Sequence, residues 1–133
     1  MKFIIEGRFW KREKTFPGLN DYIHELGRNP KAGGRIKSKY ENIACDCVRS
    51  AQRGFKASGL ITLHYVFYEP EKGQKRDHMN IFSFADKVIQ DALQKCGVIK
   101  DDSPKYVDGN RIKHEFYYTQ GTPRIEVEII ELS

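Results

Sequence analysis

KRDHMNIFSFADKVIQDALQKCGVIKDDSPKYV, residues 75–107, sets the reading of the rest of the chain, because it holds one amphipathic helix between two groups of acids. Ile81, Phe84, Ala85, Val88, Ala92 and Cys96 recur at steps of three and four, the helical period, and Gly97 supplies a C-terminal stop. The spacing predicts a helix that opens after Asn80, whose side chain suits an N-cap, and turns its apolar face into a core. Asn80, Ser83, Lys87 and Asp91 follow one another along one edge, so Lys87 points the same way as Asn80. Asp77 stands in a polar linker just ahead. Val98-Ile99 reads as a short strand or turn, and a reversal at Gly97 would return Asp101 and Asp102 toward Asp77.

Carboxylates that converge in this way suit a hard divalent cation. Mg2+ takes oxygen ligands, keeps several waters and uses one or two carboxylates together with substrate phosphates. In phosphodiester hydrolysis such an ion activates water and stabilises the leaving oxygen, and a lysine beside it offsets negative charge. The same spacing also fits a solvated, salt-bridged helix edge with no chemistry at all.

Arg76-Asp77, Asn80-Ile81, Lys87, Asp91-Ala92-Leu93, Gly97-Val98 and Asp102 follow, in order, a pattern of RDxDNI, a helix lysine, DAL, GV and a closing aspartate. In this the chain resembles the RusA family of Holliday junction resolvases, in particular the versions carried by phages and prophages of Gram-positive bacteria. The resemblance implies a metal site at Asp77 and Asp102, with Lys87 needed for cleavage rather than binding. It also implies Mg2+ as cofactor, with Mn2+ able to substitute, a homodimer, and branched DNA as substrate. Met79 stands where the family has the second acid of RDxD, and a thioether is a poor ligand for Mg2+. Asp101 and His78 are the possible extra ligands, and Asp91 is expected to orient Lys87.

The chain has 133 residues, 39% hydrophobic and 31% charged, which fits one globular domain over residues 1–133 and leaves little room for a second. No apolar run approaches the roughly 20 residues of a membrane span, and the N-terminus MKFIIEGRFW lacks the pattern of a signal peptide, so a cytoplasmic protein is expected. Cys45, Cys47 and Cys96 cannot all pair, and their spacing matches no zinc motif. Cys47 and Cys96 read as small core residues. A net charge of +5 favours an anionic partner only where the cations cluster.

They cluster most densely in RNPKAGGRIKSK, residues 28–39. This stretch reads as a basic loop in which Gly33-Gly34 let backbone approach a phosphate and Arg28, Lys31, Arg35 and Lys37 contact the DNA backbone. Lys75 and Arg76 would grip flanking phosphates. Ser38 and Glu41 form an S-x-x-E capping box ahead of a helical stripe, Tyr40, Ile43, Ala44, Cys47, Val48 and Ala51, that ends at Gly54. Elsewhere residues 2–6 predict a strand, 7–14 a charged loop, and 16–23 a Pro-Gly turn leading into a short helical segment with Tyr22, Ile23 and Leu26.

LITLHYVFY, residues 60–68, is a strand with Ile61, Leu63, Tyr65 and Phe67 on one face. Lys105-Tyr106-Val107 makes a short strand, and residues 111–118 and 124–132 two more joined through TQGTP. His24, His64 and His114 read as structural. The sum is an α+β domain, a mixed sheet packed by two main helices, in agreement with the RusA-like fold. Two functions are carried forward: a Mg2+-dependent endodeoxyribonuclease that resolves four-way junctions, and a junction-binding accessory protein on the same fold that has lost cleavage with the acid at Met79.

Overall fold

Four strands and three α-helices make up the computed structural model, which describes residues 1–6 and 15–132. Alternation of apolar and polar residues produces each of the longer strands. In β2 (Ile61–Pro70) Ile61, Leu63, Tyr65 and Phe67 are buried, and in β4 (Arg124–Glu131) Ile125, Val127 and Ile129 point the same way while Glu126 and Glu128 face outward. With β1 (Lys2–Glu6) and β3 (Lys113–Thr119) they form one mixed sheet in the order β1-β4-β2-β3. The β1/β4 and β4/β2 pairs are antiparallel, and β2/β3 is parallel.

A parallel pair cannot be closed by a tight turn, so the chain must cross over between β2 and β3. Helix α3 (His78–Lys95) makes that crossing. Its buried residues, Ile81, Phe84, Ala85, Val88, Ile89, Ala92 and Leu93, join the inward strand residues in one core together with Ile36, Tyr40, Ala44 and Val48 of α2 (Pro30–Gln52). Each fully buried aliphatic side chain there contributes roughly 1.5–3 kcal/mol. Residues 111–118 and 124–132 are strands as expected and TQGTP joins them, but they do not pair, because β2 lies between β3 and β4.

Several local expectations are corrected. The short helical segment expected over 16–23 is a full helix, α1 (Leu19–Arg28), which packs on α2 and α3. The basic stretch 28–39 is not a loop: α2 begins at Pro30, with Asn29 as N-cap accepting the Ala32 N–H at 2.7 Å. An Asn cap followed by Pro at the first helical position is a stronger start than Ser38, which lies well inside the helix. Glu41 therefore caps nothing and instead meets Lys95 at 2.5 Å and Lys37 at 3.7 Å. At the far end α2 stops at Gln52, with Arg53 (φ 46°) and Gly54 (φ 80°) in the left-handed region. Residues 105–107 contribute only a single bridge, Ile61 to Val107. Cys45 is the buried cysteine, whereas Cys47 and Cys96 are half-buried, and none of the three is in a disulfide. Burial pushes the Cys45 thiol up to about 11, so it behaves as a small apolar group. The charged loop expected over residues 7–14 lies outside the described residues. No helix among the described residues is long and apolar enough to cross a membrane.

The adjacent glycines of α2 have different jobs. A Cβ on Gly33 would come within 2.2 Å of Leu26 Cδ2, so the bare backbone is what lets α1 and α2 approach; a Cβ on Gly34 would meet nothing within 4 Å. Gly33→Ala should lower stability by about 1–3 kcal/mol through overpacking, while Gly34→Ala should raise it by about 0.5–1 kcal/mol through helix propensity. Urea unfolding of the two variants against the natural protein gives the opposite signs directly.

Candidate functional site

The acidic-motif residues singled out in the sequence lie along α3 and beside it, on three of its sides. At its start Asp77, not Asn80, is the N-cap: its backbone is extended and its Oδ1 accepts the Asn80 N–H at 3.0 Å. Asp77, His78 and Met79 are all exposed. The approach to this helix is fixed by Arg76, whose guanidinium grips the carboxylate of Glu69 with two bonds, Nε to Oε1 at 2.8 Å and Nη2 to Oε2 at 3.0 Å. Glu69 is 6% exposed, so the fork is a partly buried, charge-assisted pair. Lys75 donates to the carbonyls of Pro70 and Glu71 and lies 4.6 Å over the ring of Tyr118.

Asn80 caps a different helix. Its Oδ1 accepts the Asn20 N–H, in the first turn of α1, at 2.7 Å. Gly18, the N-cap of α1, has no side chain to offer, and Asp21 Oδ2 instead accepts from the Gly18 N–H at 2.8 Å. The orphan donors at the start of α1 are thus met from Asp21 within the helix and from Asn80 across the fold. A Cβ on Gly18 would come 2.3 Å from Asn80 Nδ2, which is why a glycine faces the asparagine.

On the β3 side of α3 lies a cavity of about 380 Å3 whose lining includes Asp86, Gln90, Asp102 and His114. The chain does reverse after Gly97 and brings Asp102 back along the helix, but alongside Phe82, Asp86 and Gln90; Asp77 does not line this cavity. The nine residues from Asp77 to Asp86 correspond to about 13 Å of helix axis. Asp86 Oδ1 accepts from the Tyr65 hydroxyl at 2.6 Å and from Gln90 Nε2 at 2.9 Å. Tyr65 is fully enclosed, and burial, reinforced by the Asp86 charge, holds its phenol well above its ordinary range. Asp101 is engaged in a local turn: its Oδ1 accepts the Ser103 N–H at 2.7 Å, and the Ser103 side chain, together with that backbone contact, keeps its carboxyl below the usual range. Among the described residues no group of three or more His, Cys, Asp or Glu side chains is arranged to hold a metal ion.

On the opposite, α2 side, Asp91 makes its shorter ion pair with Lys37, at 3.0 Å, and lies 3.9 Å from Lys87. The hydrogen bond to Asp91 raises the Lys37 pKa despite partial burial, so Lys37 ties α2 to α3. Lys87 is 61% exposed and stands between the Asp86 and Asp91 edges, about 100° of helix from Asp86. Of the basic stretch, Arg28 pairs with Glu25 at 3.0 Å, while Lys31 and Arg35 are exposed with no ion-pair partner among the described residues.

Sequence reasoning missed Asp86 and His114 at the cavity and the cross-fold role of Asn80. A signal for Asp86 existed, since Tyr65 falls on the inward face of a strand and a buried phenol needs an acceptor. Asn80→Ala should lower stability by about 1 kcal/mol by uncapping α1, whereas Asn80→Asp, which keeps the acceptor, should lose at most a few tenths; thermal melts of the two separate a cap from simple packing. No protein-family model and no curated protein matches this chain.

Proposed function

We propose that this protein is a divalent-metal-dependent endodeoxyribonuclease acting on branched DNA, with four-way junctions as substrate. The reading rests on the RusA-like order of Arg76-Asp77, Asn80-Ile81, Lys87, Asp91-Ala92-Leu93, Gly97-Val98 and Asp102. The single structural observation that favours it is that Asp102 shares a cavity with a second carboxylate, Asp86, beside the helix whose first cap is Asp77. Asp86 lies seven residues after Met79, on the same face of α3 about 10 Å further along its axis, and offers a hard oxygen of the kind that the thioether cannot.

The donor chemistry of the cavity pair suits Mg2+: Asp86 and Asp102 are carboxylates, and Mg2+ needs only one or two of them when waters and phosphate oxygens complete its shell, while exposed Asp77 stands outside that cavity at the start of the helix. When bound, the ion would polarise the scissile phosphate and lower the pKa of a water. The protein's own part is positional. Arg76 and Glu69 hold the loop that carries Asp77, the Tyr65 hydroxyl and Gln90 orient Asp86, and Lys87 brings a solvent-facing cation to the developing phosphate charge. Lys31 and Arg35 offer sequence-independent attraction to the backbone, with Arg28 behind them. A homodimer gives the symmetry that paired nicks in a two-fold junction require.

The second reading, a junction-binding protein without cleavage, is favoured by Met79 alone, which is 53% exposed where an acid is expected. Cleavage of a labelled synthetic four-way junction in Mg2+ and in Mn2+ separates the two. The nuclease reading expects paired nicks from the natural protein. It expects losses of about 100-fold or more for Asp77→Asn and Asp102→Asn, and uncut but still bound junction with Lys87→Ala. Binding without nicks in either metal, with nicks appearing only in Met79→Asp, establishes the accessory role instead.

A further inference from the structure

Three flat rings form a column that rises from the core to the surface next to Asp77. Phe67, 1% exposed on β2, stacks on Phe116 of β3 with centroids 4.5 Å apart and planes within 5°. Phe116 in turn stacks on His78 with centroids 3.9 Å apart and planes within 3°. His78 Nε2 lies 2.8 Å from the Tyr118 hydroxyl, a contact that fixes the rotation of the imidazole about its own bond. His78 is nonetheless exposed. One of its faces is on Phe116 and one edge is on Tyr118, so its exposure falls on the remaining face and edge.

An imidazole that merely closed the core would be covered. Here the column is held parallel by the sheet on one side and the first turn of α3 on the other, and it stops one ring short of being capped. Lys75 lies 4.6 Å over Tyr118, the ring whose hydroxyl meets His78, and the Asp77 cap adjoins His78 in sequence.

We propose that His78 is a stacking platform for an unpaired nucleobase, so that the ring column continues into the DNA at its branch point. The inference rests on the DNA-directed reading above and adds to it a residue that recognises the unpaired base. Every base has a π-face, so such a platform tolerates any sequence, and a cation at its rim meets the phosphate that accompanies the base. A fully paired arm offers no free face and gains nothing from it. The platform therefore favours a branch point over plain duplex.

The test uses the full chain, without metal, and a four-way junction carrying 2-aminopurine at the branch point. Stacking on His78 quenches the fluorophore, and His78→Ala should abolish the quenching and weaken junction binding about 5- to 100-fold. His78→Phe should retain both, because it restores the flat face without the ring nitrogens. Affinity for a paired duplex of the same length should change less than about two-fold, and 2-aminopurine mononucleotide titrated alone shows whether the base is captured free or only within a strand. Thermal melts of both variants exclude loss of fold. If the natural protein binds the junction but His78→Ala leaves affinity and quenching unchanged, the platform is refuted and the DNA reading stands. If the natural protein binds neither junction nor duplex, the DNA reading falls and takes the platform with it.

Discussion

The hydrogen bond from the Tyr65 hydroxyl to Asp86, 2.6 Å long, is the contact on which the arrangement around α3 depends. Tyr65 sits in the middle of β2 with its ring fully buried, and a phenol so placed cannot be left without a partner. Its acceptor has to come from the layer above the sheet. That requirement sets the rotation of α3, since only one rotation of the helix presents Asp86 to Tyr65 while Ile81, Ala85, Val88 and Ala92 face the core. Everything else on the helix follows at 100° per residue: Phe82 and Gln90 fall toward β3, Asp91 toward α2, and Lys87 into solvent between them.

The cations divide along similar lines. A sequence with net charge +5 invites the picture of a positive surface waiting for an anion, yet several of the positive groups are committed inside the protein. Arg76 is taken by Glu69, Lys37 by Asp91 and Glu41, and Lys95 by Glu41. Glu41 and Glu69 are themselves buried, so these pairs join elements rather than decorate a surface. Removing Arg76 would leave the Glu69 charge enclosed without its partner, which is a structural cost of a different order from losing a rim contact. Of the cations singled out in the sequence, Lys31 and Arg35 have no ion-pair partner among the described residues, and Lys87 stands 3.9 Å from Asp91.

Strands and helices whose periodicity is their own were legible. The alternation in β2 and β4 and the three-and-four spacing in α3 identify buried faces residue by residue, because the same apolar side chains that make the pattern make the core. What was not legible depended on a partner distant in sequence. Gly33-Gly34 read as a loop, since glycine is a poor helix former, and nothing local reveals that Leu26 needs the space a side chain at residue 33 would fill. Asn80 read as a cap for its own helix because Asn is a good cap. Its bond to the Asn20 N–H across the fold could not be deduced from either segment alone. Asp86 was passed over, and His114 was read only as structural, because their shared cavity exists only once β3 is laid parallel to β2.

These distant partners converge on one short segment. Residues 76–80 carry Arg76 on buried Glu69, Asp77 on the helix start, His78 on Phe116 and Tyr118, and Asn80 on α1. The segment is therefore pinned from the end of β2, from β3, from α3 and from α1 at once. A polar linker tethered so many ways loses conformational freedom that an ordinary surface turn keeps, and that ordering has to be offset by the contacts made. Met79 is the exception in the run, pointing a large apolar side chain into solvent at 53% exposure. The tethers act on its neighbours and not on its side chain, so the shape of the segment does not depend on which residue fills position 79.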